Sequence, residues 1–166
     1  MLLPQDLEML RPLEKDHVLL PVGADHKDAV IKKKKAPVGR NGYPLSGWNT
    51  KEQTGFSVDQ LWNYPNAISV GVRCDKLFCL DIDGETASKG IKRLGLDNEQ
   101  TWTVRRTGTE SYYKKIFSLT KAQVNSIPPN TRNKKEINFK IYTLEEHDRR
   151  EAIEFFGNTL GRQIIV

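Results

Sequence analysis

The sequence predicts an α+β fold: a mixed, largely antiparallel sheet with helices packed on it. Three observations lead there. β-rich runs come in close pairs, Ala67–Arg73 with Leu77–Asp83 and residues 101–107 with 112–119, and short connectors favour hairpins over parallel crossovers. Helix-like segments flank these pairs rather than alternating with single strands, which argues against a doubly wound parallel sheet. At 166 residues and 37% hydrophobic, the chain suits one domain with a sizeable core, so a single domain is expected over residues 1–166.

The elements follow in order. Leu3, Leu7, Leu10 and Leu13 stand at helical spacing in residues 1–16, with Pro12 set to end or kink a helix there. Residues 17–22 read as a first strand. The polar stretch 23–54 is too long for an idle loop in a compact domain and is expected to carry function. Residues 57–64 predict a short helix with Ser57 as N-cap and Pro65 as its stop. Ala67–Arg73 and Leu77–Asp83 then read as a hairpin through Cys74, Asp75 and Lys76, followed by a helix over 84–94. The second hairpin turns around Gly108. Thr120 caps a helix that Pro128 and Pro129 stop, and a polar link over 130–138 leads to strands at 141–144, 151–156 and 162–166. Val166 falls inside an apolar run, so the chain is expected to be a fragment of a longer protein.

Several function classes are excluded. No apolar run approaches the ~18–20 residues of a membrane span. Met1, Leu2 and Leu3 meet Pro4, Gln5 and Asp6 at once, leaving no signal-peptide core. Cys74 and Cys79 are the only cysteines, too few for a disulfide framework or a four-ligand zinc site, so a reducing cytoplasm is expected. The net charge is +5, and the segment from Lys27 to Arg40 accounts for all of it. There Lys27, Lys32, Lys33, Lys34, Lys35 and Arg40 face one acid, Asp28. Charge so concentrated suits a polyanionic partner.

The carboxylates carry the chemistry. Asp81 and Asp83 end the most apolar strand, and the period of two puts both on one face, ~6–7 Å apart along the strand. Unpaired acids in such a run repel each other and are costly to bury, which a hard divalent cation relieves. Glu154 sits in a second apolar run, Ala-Ile-Glu-Phe-Phe. Together the three acids suit two metals and an in-line phosphoryl or nucleotidyl transfer. Arg105, Arg106, Lys114 and Lys115 lie between them on the second hairpin and suit a triphosphate or a DNA backbone, with one of each adjacent pair facing the site. The Asp-x-Asp-Gly run also occurs in haloacid-dehalogenase-type phosphatases. That reading fails, because Glu85 follows Gly84 where a threonine is needed and no later Asp-Asp or Gly-Asp pair exists.

These pieces recur in an order that resembles a known family. Pro21-Val22, Lys35-Ala36-Pro37 and Gly47-Trp48 come first, then Trp62, Pro65 and Ile68-Ser69-Val70-Gly71-Val72 ahead of Leu80-Asp81-Ile82-Asp83. Thr107-Gly108 with Lys114-Lys115-Ile116-Phe117, and Ile153-Glu154 with Gly161-Arg162-Gln163, complete the series. The series is similar to the bifunctional DNA primase/polymerase (prim-pol) domain of the archaeo-eukaryotic primase superfamily. The resemblance implies an RRM-like core and a metal-dependent nucleotidyltransferase that builds a strand on single-stranded or primer–template DNA from nucleoside triphosphates. Asp81, Asp83 and Glu154 would ligate two metals, Mg²⁺ or Mn²⁺, and the middle motif would hold the nucleotide. The family's middle motif usually has a histidine; here Lys114 stands at that position, with Tyr113 as the alternative alignment. Lys32, Lys33, Lys34, Lys35, Arg40 and Trp48 would follow the template, Trp48 by stacking. A helicase domain in the full-length protein is a further implied partner. The rival expectation is a catalytically degenerate fold that binds DNA or a replication partner.

Overall fold

The computed structural model describes residues 4–23, 36–105, 108–130, 134–143 and 151–166. Its contacts divide the chain into two compact units: Met1–Asp75 with Leu160–Val166, and Lys76–Thr159. Each is an antiparallel sheet with helices, so the α+β class holds, with two sheets rather than one.

The first unit opens with two short helices, α1 (Pro4–Glu8) and α2 (Arg11–Glu14), which bury Leu7, Leu10 and Leu13. Pro12 lies in the first turn of α2, where its missing N–H interrupts no helical bond, so the break falls before it. Strand β1 (Leu19–Gly23) is wholly buried. Its partner β2 (Ala67–Arg73) is the central strand, between β1 and β8 (Gln163–Ile165). Pro21, which has no N–H to donate, sits in the outer strand β1. Helix α3 (Val58–Trp62) starts as expected at Ser57, whose hydroxyl accepts from the Gln60 amide at 3.1 Å while the Gln60 side chain accepts from the Ser57 amide at 2.8 Å. Arg73 is 3% exposed and gathers the 48–53 loop. One of its terminal nitrogens, Nη1, donates to the carbonyls of Trp48, Thr50 and Gln53 at 3.2, 2.7 and 3.1 Å, while Nη2 donates to Asp75 at 3.0 Å.

The second unit is a five-stranded antiparallel sheet built from β3 (Leu77–Asp83), β4 (Trp102–Arg105), β5 (Tyr112–Ser118), β6 (Ile137–Thr143) and β7 (Glu151–Gly157). Its order is β4-β5-β3-β7-β6. Helix α4 (Glu85–Arg93) connects β3 to β4, which lies two places away with β5 inserted between them: a split β-α-β. The short helix α5 (Lys121–Ser126), capped by Thr120 as expected, connects β5 to β6. Strand alternation gives the sheet two distinct faces. Leu80, Ile82, Tyr113 and Ile153 pack against Ala87 and Ile91 of α4 as the core of this unit. A fully buried aliphatic such as Leu80 or Ile82 is worth about 1.5–3 kcal/mol.

Two expectations about the strands are corrected. The hairpin between residues 67–73 and 77–83 does not form: β2 pairs with β1 and β8, while β3 pairs with β5 and β7. Both are apolar on two faces and central in separate sheets, and Cys74–Lys76 joins them as a single 3-10 turn. The strand expected at 141–144 begins at Ile137, inside the supposed polar link. Ile137, Phe139 and Ile141 alternate there with Asn138 and Lys140, the period-two pattern of a strand at the edge of a sheet.

Candidate functional site: a row of charges across the sheet

Directly opposed residues in antiparallel strands share a face, with Cβ atoms about 4.5–5.5 Å apart. Asp81 opposes Glu154 across β3 and β7, and opposes Lys114 across β3 and β5. Glu154 in turn opposes Lys140 of β6. Four strands thus carry one row, Lys114, Asp81, Glu154 and Lys140, with charges plus, minus, minus, plus. Asp83, two residues beyond Asp81, lies on the same face between Tyr112 and Ala152. The three acids of the sequence reading are therefore brought together, 73 positions apart in the case of Asp81 and Glu154.

The environment of Asp81 is tense. Its side chain is only 13% exposed, and burial pushes its carboxyl above the ordinary aspartate value of 3.8. The Lys114 ammonium, in a salt bridge with it, pulls the other way, while the charges of Asp83 and Glu154 add to the rise. Hard carboxylate oxygens suit Mg²⁺ or Mn²⁺. Among the described residues, however, no three His, Cys, Asp or Glu side chains already converge as a ligand group. The nearest positive charge to Asp81 is a lysine of this chain.

Of the other cations singled out, Lys114 alone among the described residues joins the acids. Lys115 points to the opposite face, is 3% exposed, and donates to the carbonyls of Asp97 and Glu99. Arg105 also belongs to that face: it lies 4.9 Å over the Tyr113 ring and donates to the Glu110 carbonyl at 3.3 Å. Both therefore stand on the face opposite the acids, as strand alternation requires of one cation in each adjacent pair. Arg106, Lys32, Lys33, Lys34 and Lys35 lie outside the described residues. Arg40 is exposed on the first unit and sits 5.1 Å over the Tyr64 ring. Trp48 is half-buried, whereas Trp62 is 48% exposed, so Trp62 presents the more open indole.

Sequence reasoning missed Lys140 and Glu151. Lys140 was legible from the Ile-Asn-Phe-Lys-Ile alternation once that run is read as a strand. Glu151 lies three residues before Glu154 and so on the other face, where it reaches the N-terminus of α4. Its carboxylate accepts from the Glu85 and Ala87 amides at 2.9 and 3.0 Å. Gly84 makes room for it: at φ 121°, a Cβ there would lie 2.1 Å from the Glu151 carboxyl carbon. The glycine of Asp-x-Asp-Gly is thus required by a remote helix cap, and the helix N-terminus that follows the acids already holds an anion of the chain. Comparison with protein-family models, curated proteins and solved structures finds no match.

Proposed function

We propose that the chain is a metal-dependent nucleotidyltransferase, a DNA primase or DNA-directed polymerase that synthesises a strand on a single-stranded DNA template. The observation that carries this reading is the direct pairing of Asp81 with Glu154, with Asp83 on the same face. The split β-α-β order of the five-stranded sheet is in keeping with the RRM-like core that the resemblance implies.

In this reading Asp81, Asp83 and Glu154 hold Mg²⁺ or Mn²⁺ through hard oxygen donors. A metal held there would supply Lewis-acid stabilisation of the charge that develops on the attacking 3′ oxygen and on the pyrophosphate leaving group. Lys114 supplies a positive charge on the acids' face, suited to phosphate oxygens as a point charge. Arg105 and Lys115 are left out of the nucleotide site, because they stand on the other face of the sheet. The lysine-rich segment with Lys32, Lys33, Lys34 and Lys35, together with Arg40, attracts the template backbone, and nucleoside triphosphates are the second substrate.

A second reading is favoured by the Lys114–Asp81 salt bridge: a fold that keeps its acids neutralised by lysine and binds DNA without chemistry. Extension of a labelled primer on a DNA template, with Mg²⁺ and then Mn²⁺, separates the two. Metal-dependent product that disappears in Asp81→Ala/Asp83→Ala, with DNA binding retained, is the expected result. No product from the wild-type chain, with salt-sensitive DNA binding intact, would leave the second reading standing.

A further inference from the structure

The face of the five-stranded sheet opposite the acids carries a line of aromatic rings. Phe78 opposes Phe117 across β3 and β5, Leu80 opposes Phe155 across β3 and β7, and Phe139 opposes Phe155 across β6 and β7. All four rings therefore project from the face that holds α4. Ring centres lie 5.7 Å apart for Phe117 and Phe78, 6.1 Å for Phe78 and Phe155, and 4.2 Å for Phe155 and Phe139, the last pair within 10° of parallel. Ala87 and Ile91 of α4 cover Leu80, Ile82 and Ile153, with Phe117 and Phe155 packed at the border of that core. Helix α5 buries none of its residues. The line ends on the edge strand β6, where Phe139 is 52% and Ile141 48% exposed. One face of the Phe139 ring thus lies against Phe155, and the other looks toward an edge with no described strand beyond it.

The charge at this end of the sheet is largely of one sign. Strands β3 and β6 start there and β5 and β7 end there, because their pairings are antiparallel. Lys76, Lys121, Lys134 and Lys135 flank these strand ends and are exposed, against one acid, Glu136. A second copy of the chain docking along β6 would bring lysines, Lys140 among them, against their own kind, and lysines on an edge strand disfavour such pairing. A polyanion with planar apolar groups satisfies both features, its charges meeting the lysines and its rings the open phenyl face.

We propose that the β6 edge is a contact for single-stranded DNA, in which a nucleobase stacks on the open face of Phe139 and the adjoining phosphates meet Lys134 and Lys135. The proposal rests on the strand-binding part of the reading above and extends it to a face that carries none of the three acids.

The test is fluorescence anisotropy with a labelled single-stranded DNA oligonucleotide, on wild type, Phe139→Ala, Phe139→Leu, Phe139→Trp and Lys134→Gln/Lys135→Gln. Phe139→Ala and Phe139→Leu should each weaken binding by about tenfold, with the salt slope unchanged, and Phe139→Trp should retain it. The lysine variant should lower the salt slope by up to about 1.4. An abasic oligonucleotide of the same length should bind wild type and Phe139→Ala alike. Wild-type affinity in Phe139→Ala or in Phe139→Leu would overturn the proposal, leaving the strand-binding reading to the segment from Lys27 to Arg40. Dimerisation that depends on Phe139, with DNA affinity unaltered by its replacement, would overturn it in favour of a second copy. If Phe139→Ala fails to fold, the Leu and Trp variants decide. No binding of DNA by the wild type would overturn it as well, and primer extension then reports separately on the nucleotidyltransferase reading.

Discussion

Asp81 concentrates the physics of the site at the scale of one residue. Burial raises its carboxyl, Lys114 opposes the rise, and Asp83 and Glu154 reinforce it. In the metal-free protein, Asp81 should therefore titrate above 3.8, and replacing Lys114 by Met should move it higher still. The stability sign follows from the raised value. The folded chain binds the proton more tightly than the unfolded one, so the contribution is fully present below 3.8 and is lost as pH rises through the raised value. Carboxyl-carbon NMR titration measures the first effect. Denaturant unfolding of wild type beside Asp81→Asn, from about pH 3 to 7, measures the second, with the wild type losing ground as pH rises. An Asp81 that titrates at or below the ordinary value would remove the account. The two aspartates were legible from a period of two in an apolar strand. Their neighbours were not, since sequence spacing says nothing about which strand lies alongside.

Helix α4 illustrates the same limit at the scale of an element. Its start after Gly84, its acid in the first turn (Glu85) and its cations in the last (Lys92, Arg93) follow from local rules and from the helix dipole. What satisfies its first amides does not. Gly84 has no side chain to offer, and the cap arrives from Glu151, 67 positions on, at the head of another strand. Gly84→Ala should destabilise the chain by about 2 kcal/mol or more, because the methyl group meets the Glu151 carboxyl and the positive φ is strained. Glu151→Gln should cost about 1–2 kcal/mol by removing the charge from the helix N-terminus. Urea unfolding checks both, and a Gly84→Ala chain as stable as wild type would contradict the packing described. By contrast, Ser57 and Thr120 cap their helices from within three residues, and both caps were readable directly. The missed hairpin has the opposite character: residues 67–73 and 77–83 are sound strands individually, but their partners lie elsewhere.

At the scale of the whole molecule, the positive charge and the acids are distributed unevenly. The net +5 resides between Lys27 and Arg40, while the acids belong to the unit Lys76–Thr159, whose site row is balanced by its own lysines. Under the proposed function, affinity for single-stranded DNA should depend on that basic segment more than on the acids. Replacing Lys32, Lys33, Lys34 and Lys35 by Gln should lower the slope of log affinity against log salt by up to about 3, whereas Asp81→Ala/Asp83→Ala should leave it nearly unchanged. Fluorescence anisotropy across a salt series reads both, and an unaltered slope in the lysine variant, or no binding by the wild type, would overturn the proposed DNA contact of this segment. Among the described residues no helix is long and apolar enough to cross a membrane. The α+β class, most strands, the local caps, the location of the net charge and the shared face of Asp81 and Asp83 all depend on short-range period and composition, and a linear reading recovers them. Strand order depends on which edges are free once each sheet is assembled. That order and its register set Glu154 opposite Asp81, turned Lys114 rather than Lys115 toward the acids, and delivered Glu151 to a helix that begins 66 residues before it. Such pairings are long-range, and burial of apolar surface on the assembled sheet selects them rather than any local preference.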